Sequence, residues 1–138
     1  MISDEVLERY SRQILLPEVD LGGQDRLNRA RVVIVGCGGL GSMVGLFLAG
    51  AGVGHLRLVD HDRLEISNLH RQLAFRERDI GTGKATALQA QLAALNSDVQ
   101  IESVTQRFGE NLANDRSVLA DIDLVIDATD NLESRHAI

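Results

Sequence analysis

Residues 4 to 15 place Val6, Leu7, Tyr10 and Ile14 at helical spacing before Pro17 stops the pattern, so the chain opens on an amphipathic helix. A second, short helix is expected over Gln24 to Ala30. From Arg31 the period changes. Val32, Val33, Ile34 and Val35 form an unbroken β-branched run of strand length, the pattern of a strand buried on both faces. A glycine-rich stretch follows, then a helix to Ala51 that Gly52 and Gly54 terminate. Leu56 to Val59 reads as a second strand ending at Asp60, and residues 61–81 as a polar, irregular excursion. A helix from about Gly83 to Leu95 carries Ala85, Leu88, Leu92 and Leu95 on one face. Val99 to Val104 reads as a third strand, about Glu110 to Ala120 as a helix, and Ile122 to Ile126 as a fourth strand.

The alternation of strand and helix predicts an α/β fold: a Rossmann-like, doubly wound, mostly parallel sheet with right-handed crossovers. Residues 1–30 are expected to form an N-terminal helical segment and residues 31–138 the sheet domain. With strand order 3-2-1-4, a ligand crevice opens at the carboxyl ends of strands 1 and 4. The glycine loop after Val35 and the segment from Asp127 to Asn131 would then be neighbours. The same order leaves the apolar strand over Ile122 to Ile126 at the outer edge, where unpaired backbone invites another chain. Either a partner is expected to cover that edge, or these residues are the front half of a longer protein.

Composition narrows the function classes. The chain has 138 residues, 44% hydrophobic and 25% charged, which describes one globular domain able to bury a core. Aromatics are only 3%, too few for base-stacking platforms, and a net charge of −6 argues against a duplex nucleic-acid partner. No apolar run approaches the ~20 residues of a membrane span, and Asp4 and Glu5 do not suit a signal peptide. A cytoplasmic location is expected. The single Cys37 makes no internal disulfide and no metal cluster, and it reads as a small packing residue. The four histidines show no metal-ligand spacing.

Gly36, Gly38 and Gly41 form a fingerprint between a strand and a helix. Gly36 would permit a tight turn, Gly38 would bring backbone N–H groups to a phosphate, and Gly41 would let helix and strand pack closely. Asp60, 19 residues beyond Gly41 at the end of the second strand, is placed to hold ribose hydroxyls. The fingerprint does not choose between NAD and ATP, because both offer a ribose and a diphosphate. An NAD-dependent oxidoreductase and a non-catalytic nucleotide-binding module therefore stand beside an ATP-using enzyme.

The long polar connection from Asp60 to Gln72 tilts the choice, since connections of that length tend to carry function. Arg71 within it has the side chain best shaped for bidentate phosphate contact. Lys84 lies at the start of a helix, where the dipole disfavours a cation, which suggests an anion nearby. Asp130, just past the fourth strand, suits magnesium beside a triphosphate, with Asp127 or Thr129 expected to cap the following helix.

Taken together, Arg9-Tyr10-Ser11-Arg12-Gln13-Ile14-Leu15, Gly36-Cys37-Gly38-Gly39-Leu40-Gly41, Ala51-Gly52-Val53-Gly54, Ser67-Asn68-Leu69-His70-Arg71-Gln72, Gly81 through Lys84, and Thr129-Asp130-Asn131 resemble the MoeB/ThiF family. Its members are bacterial relatives of the ubiquitin-activating enzymes, and they adenylate the C-terminus of a small ubiquitin-like sulfur carrier. The resemblance runs from about Arg9 to Ile138 and implies an ATP and magnesium site in place of a dinucleotide site. It implies nucleotide contacts from Gly36, Gly38, Gly39, Gly41, Asp60, Asp62 and Gln72, with phosphate contacts from Asn68, Arg71 and Lys84. It also implies magnesium on Asp130, and a homodimer in which Arg12 reaches the partner's triphosphate. Arg12, Arg71, Lys84 and Asp130 are thus the expected catalytic residues, and molybdopterin or thiamin synthesis the expected pathway. Position 37 departs from the family's usual Leu or Ala, and His70 stands where Gln is common. The family's later strands, its cysteine-bearing crossover loop and its zinc-binding Cys-x-x-Cys pairs have no counterpart here, so structural zinc and thiol transfer are not assigned to this chain.

Overall fold

In the computed structural model, which describes residues 3–138, a four-stranded sheet carries the molecule with strand order β3-β2-β1-β4. The strands are β1 (Arg31–Val35), β2 (His55–Val59), β3 (Gln100–Val104) and β4 (Leu124–Asp127), and every pairing is parallel. Val33 of β1 aligns with Arg57 of β2 and with Val125 of β4, which makes β1 a central strand. That position explains its composition: Val33 and Ile34 are both fully buried, on opposite faces. Each such side chain contributes about 1.5–3 kcal/mol of apolar burial.

The helices are α1 (Asp4–Ile14), α2 (Asp20–Arg29), α3 (Gly39–Gly50), α4 (Lys84–Leu95), α5 (Leu112–Leu119) and α6 (Leu132–Ala137). Helices α3 and α4 cover one face of the sheet, where Ile34, Leu56 and Leu58 meet Ala49, Leu88 and Leu92. On the other face Val33, Val35 and Val59 pack with Phe108 and with Val118 of α5. Layers on both faces make the doubly wound arrangement that the alternation of elements predicts.

Helices α1 and α2 are anchored by polar groups more than by a continuous apolar stripe. Tyr10 is buried, and its hydroxyl accepts a 2.8 Å hydrogen bond from Asn96 Nδ2. Gln13 Nε2 donates to Ala51 O at 2.9 Å and also to the buried Gln24. Leu7, Leu15, Leu16 and Leu21 remain exposed, so the expected apolar face of α1 is only partly covered.

Three boundaries differ from the sequence pattern for local reasons. Helix α2 starts at Asp20 instead of Gln24, because Asp20 Oδ1 accepts from Gly23 N at 2.9 Å and opens a turn that two weak helix formers, Gly22 and Gly23, conceal. Strand β4 starts at Leu124 instead of Ile122, because Asp121 takes φ 58° in the turn and Asp123 closes it, accepting from Arg31 N at 2.8 Å. Residues 61–81 contain two short 3-10 turns, Ile66–Asn68 and Glu77–Asp79. As expected from the strand order, β4 lies at the sheet's edge, with Leu124 exposed.

Candidate nucleotide site at the carboxyl ends of the strands

A cleft of about 350 Å³ opens beyond the carboxyl ends of the neighbouring strands β1 and β4. The glycine loop forms one wall. Gly36 takes φ +95°, a conformation that a side chain rarely adopts, and a Cβ there would stand 2.6 Å from Ala128 O, just past β4. The loop leads into α3 at Gly38, where no side chain caps the helix and no acidic residue occupies the first turn. Uncapped N–H groups and the positive end of the dipole therefore face the cleft, an arrangement that suits an anion.

Asp60 stands beside this loop at the end of β2. Its Oδ2 accepts from Cys37 N at 2.7 Å and its Oδ1 from Asp62 N at 2.8 Å. A carboxylate has about four acceptor sites, so both oxygens retain capacity for ribose hydroxyls. Cys37 itself is fully buried. Burial pushes its thiol well above the ordinary range, and the charge of Asp60 pushes it further in the same direction, against a smaller opposing effect of Lys84. That environment keeps the thiol protonated and confirms the packing role; the loop's helix N-terminus does not make Cys37 a nucleophile.

The polar excursion delivers the cations. Asn68 caps the turn at Ile66–Asn68, its Oδ1 accepting from Glu65 N at 2.9 Å, and its carbonyl accepts from Arg71 N at 3.2 Å and Gln72 N at 3.0 Å. Arg71 and Gln72 thereby face the cleft. Lys84, the first residue of α4, is 8% exposed and lines the same cleft. The anion that its unfavourable position suggests is present within the chain: Lys84 Nζ lies 3.2 Å from Asp62 Oδ2. On the opposite wall Asp130 is exposed, and among the described residues nothing donates to its carboxylate. Asp127 accepts from Thr129 Oγ1 at 2.6 Å and Thr129 N at 2.9 Å. The Thr129 hydroxyl holds the Asp127 carboxyl below its usual range, its amide and Arg135 acting in the same direction. The cap of α6 is Asn131, whose Oδ1 accepts from Ser134 N at 2.9 Å, so neither Asp127 nor Thr129 takes the expected capping role.

Of the residues singled out in the sequence, Gly36, Gly38, Gly39, Asp60, Asp62, Arg71, Gln72, Lys84 and Asp130 line one cleft. Gly41 lies beneath it, Asn68 braces it from behind, and Arg12, on exposed α1, is outside the lining. Sequence reasoning missed Gln106, Arg107 and Phe108, which follow β3, and Ser134 and Arg135 of α6. The rule that places the β1 and β4 loops here applies equally to the loop after β3, and that signal was available.

Two buried side-chain atoms on the lining, Gln72 Oε1 and Gln106 Nε2, have no hydrogen-bond partner. Orphaned polar atoms in a cleft fit a polar ligand that supplies the missing donor and acceptor. Ligand atoms of Asp60, His61 and Asp62 lie within 4.8 Å of one another. That cluster is already engaged by Cys37 N, Asp62 N and Lys84, whereas Asp130 presents a hard oxygen donor toward the open cleft.

The ThiF family profile matches residues 10–138. The chain belongs to the ThiF family. It is 46% identical to the sulfur carrier protein adenylyltransferase of Thermus thermophilus over 134 residues, covering 97% of this chain and 49% of that protein. It is 44% identical to the sulfur carrier protein ThiS adenylyltransferase of Escherichia coli over 138 residues, covering 99% of this chain and 54% of that protein. Among solved structures, the E. coli tRNA N6-threonylcarbamoyladenosine dehydratase TcdA in complex with ATP superposes with a TM-score of 0.88 and 26% identity, covering 99% of this chain and 55% of that one. This ThiF-family chain thus spans about half the length of these three proteins. No described helix is long and apolar enough to cross a membrane.

Proposed function

We propose that this chain is the ATP-binding part of a cytoplasmic adenylyltransferase that activates the C-terminal carboxylate of a ubiquitin-like sulfur-carrier protein. The observation that carries the reading is the meeting of an uncapped helix N-terminus, Lys84, Arg71 and Asp130 in one cleft. Support comes from the 44% and 46% identity to two proteins named as sulfur-carrier adenylyltransferases. Thiamin or molybdopterin synthesis is the pathway class we favour.

In the reaction, a carboxylate oxygen of the carrier forms a bond to the α-phosphorus of ATP. The bond from that phosphorus to the bridging oxygen breaks, and pyrophosphate leaves. A terminal carboxyl with a pKa of about 3.5 is already ionised at neutral pH, so the site needs no general base. This accounts for a cleft without a Ser-His or Cys-His pair. The protein's task is to hold two anions in line and to stabilise the charge that passes to the leaving group. Asp60 would hold the ribose, and Gly38 and Gly39 would present backbone N–H groups to a phosphate. Lys84 and Arg71 would take the phosphate charge. Gln72 and Asn68 would complete the phosphate side, and Gln72 Oε1, lacking a donor, has capacity to accept from the ligand.

The hard carboxylate of Asp130 fits magnesium, which usually binds through one or two carboxylates together with phosphates. Magnesium bound there would neutralise phosphate charge. Arg12 would act from a second subunit of a homodimer. Zinc would belong to residues outside this chain, which has no cysteine besides Cys37.

The test is carrier-dependent exchange of labelled pyrophosphate into ATP by the full-length protein and its Asp130→Ala form. Exchange that requires the carrier and collapses in the variant is the expected result; exchange that survives the substitution removes the metal role. Titration against the oxidoreductase alternative is equally direct, because NADH binding tighter than Mg-ATP contradicts this reading.

A further inference from the structure

We infer that Asp62 is an internal counter-ion for Lys84, occupying the place of a phosphate until ATP arrives and reclaiming the lysine when pyrophosphate leaves. The inference deepens the proposed function and rests on it. The two residues are 22 apart in sequence and are locked together by backbone as well as by side chains. Lys84 N donates to Asp62 O at 2.9 Å, Arg63 and Gly83 form an antiparallel bridge, and Leu64 N donates to Thr82 O at 2.8 Å. This short ribbon fixes the two backbones together and sets the carboxylate of Asp62 beside Nζ of Lys84.

The burial of the two side chains is unequal, and that inequality decides which one yields. The Lys84 side chain is 10% exposed and Asp62 51%. A buried ammonium cannot follow a ligand outward, so the mobile member of the pair is the half-exposed carboxylate. His61 Nε2 stands 3.1 Å from Asp62 Oδ1 and offers the carboxylate a second resting contact. The pair also resolves two costs of an empty site: a cation at the positive end of α4, and a buried ammonium without a counter-charge. Its consequence is competition. An incoming phosphate must displace or share the Asp62 carboxylate, and it does so against the repulsion of that negative charge.

The experiment compares ATP, pyrophosphate and adenosine binding by calorimetry for the wild type, Asp62→Asn, Lys84→Met and the double variant. Asparagine keeps the backbone ribbon and an oxygen that accepts from Nζ, but removes the charge. Asp62→Asn is expected to bind ATP and pyrophosphate about three- to tenfold more tightly while adenosine binding stays constant. In the Lys84→Met background the gain should vanish. Unchanged or weakened ATP binding in Asp62→Asn overturns the inference, as does a parallel change for adenosine, which a purely structural role would produce. A wild type that binds ATP no better than adenosine fails the nucleotide reading itself, independently of how the variant behaves.

Discussion

Gly41 packs against the carbonyl oxygen of Gly36 so closely that a Cβ at position 41 would overlap that oxygen. The contact joins the first turn of α3 to the loop that leaves β1, and the same added carbon would also meet the Ala128 side chain at 3.2 Å. A methyl group therefore has backbone on one side and the segment after β4 on the other, with no flexible neighbour to give way at the carbonyl. Gly41→Ala is expected to destabilise the chain by about 3 kcal/mol or more, read as a lowered urea midpoint. Gly39→Ala is the control: nothing lies within 4 Å of a Cβ there, so its midpoint should move little.

This contact was legible in the sequence because the fingerprint's third glycine has one physical reason to be glycine. The strand order was legible too, since four apolar runs separated by helices leave few right-handed arrangements. Two things were hidden. The partner of Lys84 was hidden because a carboxylate 22 residues away, Asp62, reaches the lysine only after a ribbon pairs residues 62–64 with residues 81–84; the capping role of Asn131 was hidden because Asp127, Thr129 and Asn131 all suit a cap by residue type. What separates them is that Asp127 ends β4 and is occupied by Thr129, leaving Asn131 at the right distance from Ser134. The wall formed by Gln106 and Phe108 carries no motif, and only the general rule that ligands bind at the carboxyl ends of the strands pointed to the loop after β3.

Lys84 and Arg71 are expected to matter more to turnover than to folding. Their positions are fixed by backbone contacts, Lys84 N to Asp62 O and Arg71 N to Asn68 O, which survive side-chain replacement. Lys84→Met or Arg71→Met in the full-length protein should raise the barrier of carrier adenylation by about 2–4 kcal/mol, by analogy with removal of an oxyanion donor. Steady-state rates with carrier and ATP, alongside thermal melts that stay near wild type, check the statement.

Acid should loosen the corner after β4. The Asp127 carboxyl is held below its usual range chiefly by the Thr129 hydroxyl, so it binds its proton less readily in the folded chain than in the unfolded one. A group shifted in that direction contributes stability above its unfolded value near pH 4, and the contribution is lost as pH falls through the folded value. Thr129→Val removes the O–H donor and should flatten this dependence: the stability difference between pH 7 and pH 3 becomes smaller than in wild type. Carboxyl carbon shifts of Asp127 followed by NMR should also show its midpoint moving up. A midpoint that stays in place assigns the low value to the backbone and Arg135 instead.

The proposed dimer makes a prediction that a monomeric enzyme does not. Arg12 sits in the last turn of α1, exposed and outside the cleft lining of its own chain, next to the exposed Leu15 and Leu16. If Arg12 serves the partner's triphosphate, an Arg12→Ala subunit lacks a cation it gives away and an Asp130→Ala subunit lacks a carboxylate it keeps. In a mixed dimer, one site then combines the intact Asp130 of the first subunit with the intact Arg12 of the second, while the other site carries both defects. Each homodimer is inactive. Random assortment makes half the dimers mixed, each with one working site of two, so co-refolded equal amounts of the two variants should recover about a quarter of wild-type carrier-dependent pyrophosphate exchange. Recovery close to zero would place Arg12 in the cleft of its own subunit, whereas recovery of about half would put it outside the chemistry, because every Arg12→Ala subunit would then keep a working site. The Arg12→Ala homodimer alone checks the second case independently: an intact exchange rate there removes the arginine from the reaction.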